Sequence, residues 1–234
     1  MCIRDSKGIV FLKNEQEKDG SWFGRWGANY IYGTWSVLHA LKAAGENMDS
    51  NYIKKAISWI KSKQNKDGGW GEDCATYWKE KKNMPSIKSM PSQTSWAILS
   101  LLTLEKNNEP SIERGVEFLK KNFNKKNLWK DEHFNAVGFP KVFYITYHGY
   151  AKYFSNLALS RYQNLKKGIK LTEFLVYNKL MNIKCSCGKI FDCDPQGNCW
   201  CKQLDNKIKK SDINKKNQKC LCEDCLNTKI NRLN

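Results

Sequence analysis

One sentence written three times along the first half of the chain limits the folds open to it. The copy beginning at Lys7 reads KGIVFLKNEQEKDGSW, and the copy beginning at Lys55 reads KAISWIKSKQNKDGGW. A third begins at Arg114 as RGVEFLKKNFNKKNLW, with Phe123 in place of the Gln and Asn127 in place of the Gly. The starts lie 48 and then 59 residues apart (7 to 55 to 114). Units of this length at near-regular spacing predict a stacked helical repeat, because one unit alone cannot bury its apolar face.

Each copy has a mechanical reading. Val10 and Phe11, and one repeat later Trp59 and Ile60, mark the buried side of an outer helix. Asp19-Gly20 and Asp67-Gly68 are turn pairs that end it, since Gly accepts positive φ and Asp bonds its own backbone. Gln16 and Gln64 are placed to stack on Trp22 and Trp70 and to satisfy free backbone groups at a neighbouring helix end, with Trp129 in the third copy. These residues read as braces, not as catalytic groups.

Between the braces, residues 30–44, 91–104 and 143–162 carry apolar residues at helical spacing. Pro91 suits a first helical turn. The expected fold is all-α, with three helical hairpins forming about half of a closed six-hairpin α/α barrel. Phe143, Tyr147, Tyr150 and Phe154 are expected on one face of the last helix. Phe139, just before Pro140, is expected in the preceding loop. Half a barrel is further expected to leave Trp35, Leu38, Leu41, Trp96, Leu99 and Leu102 as an uncovered apolar patch.

At this point the residues resemble a known family. The repeat is similar to the QW repeat of triterpene cyclases. DGSWFGRWGANYIYGTW (19–35), NKDGGWGEDC (65–74), PSQTSWAIL (91–99), GFPKVFYITY (138–147) and LALSRY (157–162) resemble the C-terminal part of bacterial squalene-hopene cyclase. The likeness covers residues 7–165. It implies cationic cyclisation of a squalene-like polyene to hopanoids, an isomerase activity that needs no cofactor. It also implies a full-length parent that is homodimeric and sits peripherally on the cytoplasmic side of the bacterial inner membrane.

Such chemistry needs faces that stabilise a cation without capturing it, and aromatic rings offer about 0.5–2 kcal/mol each when desolvated. The resemblance assigns the lower cavity to Phe139, Phe143, Tyr147 and Tyr150, and the upper cavity to Trp26 and Tyr32. Ordinary core packing is the competing reading of the same stripe. The family's proton donor is an Asp-x-Asp-Asp motif, whose acidity neighbours must raise. No such motif occurs in these 234 residues, so the chain alone is expected not to start a cyclisation.

Two other readings compete with the cyclase. A protein prenyltransferase β-type barrel would hold zinc by Asp-x-Cys and a His, whereas here Asp73 and Cys74 are adjacent and His39, His133 and His148 show no matching pattern. A non-catalytic barrel scaffold fits the missing acid.

The ends read differently. Residues 1–6, MCIRDS, match a translated sequencing adaptor, with a natural short start as the alternative. Residues 166–181 form a linker, residues 182–228 a cysteine-rich module and residues 229–234 a tail. Eight of ten cysteines fall in the module: Cys185, Cys187, Cys193, Cys199, Cys201, Cys220, Cys222 and Cys225. So little apolar mass cannot form a core, which leaves two four-sulfur zinc sites or four disulfides. Zinc is favoured, since no secretory signal precedes the module. CSCGKIFDCDPQGNCWC resembles the small CWC family, although its first pair is C-x-C. The module is either a natural fusion or a neighbouring reading frame beginning at Met181.

The formal net charge is +17. Both halves are basic, which would suit anionic lipid surfaces. Lys and Asn abound throughout, so compositional bias is favoured over a nucleic-acid-binding patch.

Overall fold

The computed structural model describes residues 3–106 and 109–168, together with the backbone of 181–184 and 190–193. It divides into two compact units, residues 1–173 and 174–234. Among the described residues the first carries six α-helices, α1 (Ile3–Asn14), α2 (Tyr30–Ala43), α3 (Asn51–Ser62), α4 (Pro91–Leu102), α5 (Pro110–Lys121) and α6 (His148–Lys166), with two short 3-10 turns, Cys74–Tyr77 and Lys79–Lys81, between α3 and α4. A small antiparallel hairpin, β1 (Ala136–Phe139) with β2 (Phe143–Ile145), precedes α6. In the second unit β3 (Met181–Lys184) pairs antiparallel with β4 (Ile190–Cys193). The chain is therefore mainly helical, but the all-α expectation needs these two hairpins added.

All twelve residues of α4 are buried. Its principal neighbours are α2, α5 and α6, with α3 also against it. A helix buried all round must be covered on every side, and α2, α3, α5 and α6 all pack against α4. By contrast, α3 and α5 each bury one stripe, Ile53, Ile57 and Ile60 in the first, Ile112, Val116 and Leu119 in the second. The small polar residues of α4 bond locally: Ser95 Oγ donates to the Pro91 carbonyl at 2.6 Å and Ser100 Oγ to that of Trp96 at 2.8 Å.

This packing overturns the expected uncovered patch. Leu38, Leu41, Trp96, Leu99 and Leu102 are all buried and Trp35 is partly so. The inner helices cover one another across α4, so their apolar faces are used up within the unit.

The braces are regular. Trp22, Trp70 and Trp129 each donate an indole N–H to the carbonyl of the residue ten positions earlier: Leu12, Ile60 and Leu119, at 2.7, 2.8 and 2.8 Å. That acceptor is always the third-last residue of an outer helix, where no intrahelical donor exists. Gln16 and Gln64 then cross to the next repeat, donating to the carbonyls of Tyr52 and Ser111, each at 2.8 Å. Where Phe123 replaces the Gln, its ring instead packs edge-on against Trp129 with centroids 5.0 Å apart. The turn glycines serve the same junctions. Gly20 (φ +100°) lies against the backbone of Lys55, and Gly68 (φ +87°) against that of Arg114, so each turn touches the basic residue that opens the following copy.

Candidate functional site

The hairpin region does not continue the last helix. α6 starts at His148, so Phe143 lies on β2 and Tyr147 at the helix boundary, and only Tyr150 and Phe154 of the expected stripe share a helix face. The GFP stretch explains the break. A bulge between Val137 and Phe139 kinks β1, Lys141 adopts φ +69° beside Pro140, and the chain reverses before helix can form.

Three of the proposed cavity residues join one cluster of rings. Tyr32 on α2 meets Trp96 on α4 edge-on at 5.0 Å, and Trp35 at 5.5 Å. Trp96 meets Tyr150 at 5.8 Å and Phe154 at 5.5 Å, and Tyr147 meets Tyr150 at 4.9 Å. Burial raises the phenol pKa of Tyr32, and of Tyr150 with help from Tyr32 and Tyr147. Both therefore present neutral rings, which suits stabilising a cation rather than capturing it.

The other three sit on an adjoining rib. Val137 N–H donates to the Trp26 carbonyl at 3.0 Å and Ala28 N–H to that of Asn135 at 3.0 Å, tying residues 26–28 alongside β1. Phe139 and Phe143 meet edge-on at 5.7 Å. Close glycines set these rings. A Cβ on Gly138 would fall 2.1 Å from the Phe143 ring, and one on Gly27 2.3 Å from that of Tyr32. Trp26, Phe139, Phe143 and Tyr147 are 53, 60, 46 and 46 % exposed, unlike Trp22 and Trp70 in the core. Large apolar rings held on a fixed backbone yet facing outward mark a contact surface rather than core.

Buried polar residues that the sequence reading missed anchor this rib. Glu72 accepts backbone N–H groups of Asn29, Tyr30 and Ile31 at 3.3, 3.0 and 2.9 Å, capping α2, and the Thr76 hydroxyl at 2.8 Å. Burial pushes its carboxyl pKa up, against those four donors. Gln93 donates to the carbonyls of Ala28 and Glu72 at 3.1 and 3.0 Å and accepts from Glu72 N–H. Asp131 caps α4 at Ser92 N–H, 3.0 Å, and accepts from Asn135 Nδ2 at 2.7 Å. Asn135 also holds both backbone groups of Tyr147. The signal was an acid two residues after a brace Trp, in Trp70-Gly71-Glu72 and Trp129-Lys130-Asp131.

His39 and Arg161 join α2 to α6 behind the cluster. Arg161 Nη1 lies 2.7 Å from His39 Nε2, and His39 Nδ1 lies 3.2 Å from the Trp35 carbonyl. An arginine donates only, so Nε2 accepts and Nδ1 carries the proton. Burial, then the guanidinium charge, brings the imidazole pKa down to about 4.

The prenyltransferase zinc arrangement does not form here. The Asp73 carboxylate caps Ala75 N–H at 2.6 Å, and Cys74 is buried with its thiol pKa pushed up to about 12 by burial and then by Asp73 and Glu72. Among the described residues no three His, Cys, Asp or Glu side chains converge. Of the module's eight cysteines only Cys193 is among the described residues, by its backbone in β4. Cys185, Cys187, Cys199, Cys201, Cys220, Cys222 and Cys225 lie outside the described residues. No helix among the described residues is long and apolar enough to cross a membrane.

With this geometry in place, known proteins were compared. The family model described as squalene-hopene cyclase C-terminal domain matches residues 3–164. A squalene-hopene cyclase of Zymomonas mobilis is 49 % identical over 170 residues, covering 71 % of this chain and 26 % of that protein. One from Bradyrhizobium diazoefficiens is 49 % identical over 159 residues, covering 68 % and 24 %. A dammaradiene synthase of Dryopteris crassirhizoma is 38 % identical over 184 residues, covering 71 % and 26 %. The chain thus spans about a quarter of the length of these curated relatives. Among solved structures, ent-copalyl diphosphate synthase from Streptomyces platensis aligns with a TM-score of 0.51 at 20 % identity, covering 68 % of this chain and 29 % of that one, a likeness of fold.

Proposed function

This chain belongs to the squalene-hopene cyclase C-terminal domain family, and from that membership we propose that it forms one wall of a cavity in which a squalene-like polyene is cyclised. The carrying observation is the outward-facing set Trp26, Phe139, Phe143 and Tyr147, fixed on the rib and continued inward by Tyr150 and Tyr32. Protonating a terminal alkene makes a carbocation that each ring closure moves along the chain. Neutral rings along its course stabilise the charge through their π faces, and their apolar bulk excludes water that would quench it. Helices α2, α4 and α6 would then form part of an α/α barrel whose other hairpins come from the longer protein.

The proton comes from outside these residues, since no Asp-x-Asp-Asp motif occurs in them. The purified chain incubated with squalene is expected to yield no hopene. Co-expressed with the Zymomonas mobilis cyclase truncated before its matching segment, it is expected to restore cyclised product. Phe143→Ala and Trp26→Ala in that pairing should shift product toward fewer rings. An unchanged product distribution in both variants would remove the cavity reading.

The parent is proposed to work as a homodimer at the cytoplasmic face of the inner membrane, where its substrate dissolves. The eight clustered cysteines are proposed to hold two zinc ions, with the metal supplying folding free energy that the segment's sparse apolar content cannot. Elemental analysis of the purified chain should find about two zinc per chain, and a metal-free, disulfide-bonded protein would refute this.

A further inference from the structure

A cavity of about 340 Å³, with Tyr147 in its lining, opens between the loop that follows α5 and the first turns of α6. That volume falls within the range of small-ligand sites, about 300–1,000 Å³. Its lining is strongly basic: Lys126 and Lys130 come from the loop and Lys152 from α6, with His148 and Thr146 beside them.

The charge there is only partly compensated, Lys130 also interacting with the exposed Glu132 carboxylate. Asp131 is the one carboxylate in the lining, and it is buried with its oxygens accepting from Ser92 N–H and Asn135 Nδ2. Neighbouring Glu132 is ion-paired to Lys88 at 2.7 Å. Among the described residues none of the three lysines has an ion pair. Lys152 is also only partly exposed, so its unpaired charge is not simply spread into open solvent. Cations along a concave wall focus the potential into the hollow. The 19-residue α6 adds to it, because its N-terminal boundary residue Tyr147 provides no side-chain cap and the helix dipole is positive there.

The two loop lysines reach this hollow because the third repeat departs from the other two. The Gln and Asp-Gly of the earlier copies give way to FNKKNLW over the same seven positions, in which Leu128 takes φ +59° and pairs with Asn124. No following outer helix is braced there, and the loop projects Lys126 instead.

We propose that this cavity binds a phosphate-bearing anion through Lys126, Lys130 and Lys152. Such a group is supplied either by an anionic lipid headgroup or by a free diphosphate. The site borders the aromatic surface at Tyr147, which belongs to both, and takes a ligand chemically unlike a hydrocarbon polyene.

The test uses the full 234-residue chain at about 0.15 M salt, where diffuse attraction between exposed charges is largely screened. One arm measures inorganic diphosphate binding by calorimetry, and the other measures sedimentation with phosphatidylglycerol vesicles against phosphatidylcholine vesicles. Lys130→Ala/Lys152→Ala and, separately, Lys126→Glu are compared with Lys54→Ala/Lys120→Ala, which removes two charges from exposed positions elsewhere. Matching thermal unfolding of all proteins confirms that each is folded. Saturable binding weakened about tenfold by the cavity variants and less than about twofold by the control pair is expected, tenfold being what about 1.4 kcal/mol of lost interaction produces. Saturation by diphosphate identifies a free anion, and vesicle binding without it identifies a lipid headgroup. No saturable binding in either arm, or equal weakening by cavity and control pairs, overturns the proposal.

Discussion

The indole N–H of Trp70 donates to the carbonyl of Ile60 across 2.8 Å, closing the end of α3 from a position ten residues further along the chain. Trp22 does the same for α1 and Trp129 for α5, so the brace is a helix cap as well as core. Trp70 is fully buried. Trp70→Phe keeps most of the apolar burial but takes away one of the two donors to the Ile60 carbonyl, Lys63 N–H at 3.2 Å remaining, at a cost of about 0.5–1.5 kcal/mol. Trp70→Ala also opens a cavity, and about 3–5 kcal/mol is expected. Chemical denaturation of the three proteins should rank them in that order, and equal stability of Trp70→Phe and the unsubstituted chain would deny the cap its role.

Gly68 and Gly45 separate two effects that a turn glycine can have. Both lie at positive φ, +87° and +78°. A Cβ on Gly68 would sit 2.6 Å from the Arg114 carbonyl oxygen, whereas one on Gly45 would meet nothing within 4 Å. Gly45→Ala should therefore cost about 1–2 kcal/mol for backbone strain alone. Gly68→Ala should cost more, since it also pushes α5 away from the turn. Similar melting temperatures for the two variants would mean that the contact between repeats contributes little.

The exposed aromatics make the opposite prediction from the buried ones. Trp26→Ala and Phe143→Ala remove rings that face outward, so stability should change by about 0.5 kcal/mol or less, the usual range for surface positions. Trp96→Ala removes the fully buried hub that contacts Tyr32, Trp35, Tyr150 and Phe154, and about 3–5 kcal/mol is expected. Comparable losses in both sets, measured by unfolding of the isolated chain, would return Trp26 and Phe143 to the core.

What could be read from the sequence divides along one physical line. The repeat, the outer and inner helices and the Gln and Trp braces were legible because they depend on local period and local turns, but in the first outer helix Val10 and Phe11, expected on the buried side, are 57 and 60 % exposed while Ile9 and Leu12 face the core. Residues 143–147 were not. FYITY reads as helix by apolar spacing, but the bulge in β1 and the reversal at Lys141 reserve it for a strand. Glu72, Asp131 and Asn135 escaped notice because their partners lie 39–43 residues away or at a helix start defined only by the fold. The expected apolar patch failed for a similar reason. Helical periodicity shows which face is apolar, but not that α2 and α6 would cover α4 within the same unit.

The His39–Arg161 pair gives the fold a dependence on acid. Unfolded, the imidazole titrates near its usual 6.5, and in the fold it titrates at about 4. Between these values the unfolded chain binds more protons than the folded one, so stability rises with pH across that window. The contribution is fully present above about pH 6.5 and lost as pH falls through about 4, on the order of 3–4 kcal/mol in all. Glu46 and Glu113, whose carboxyl pKa values are lowered by hydrogen bonds from Lys13 and Lys166 respectively, lose their share at more acid pH. His39→Gln removes the titrating group while its side-chain carbonyl can still accept from Arg161. Unfolding free energies at pH 4.5, 5.5 and 7 should rise with pH in the unsubstituted chain and rise much less in the variant. Parallel profiles would show that His39 is not protonated on unfolding in this range, and would remove its low pKa from the account.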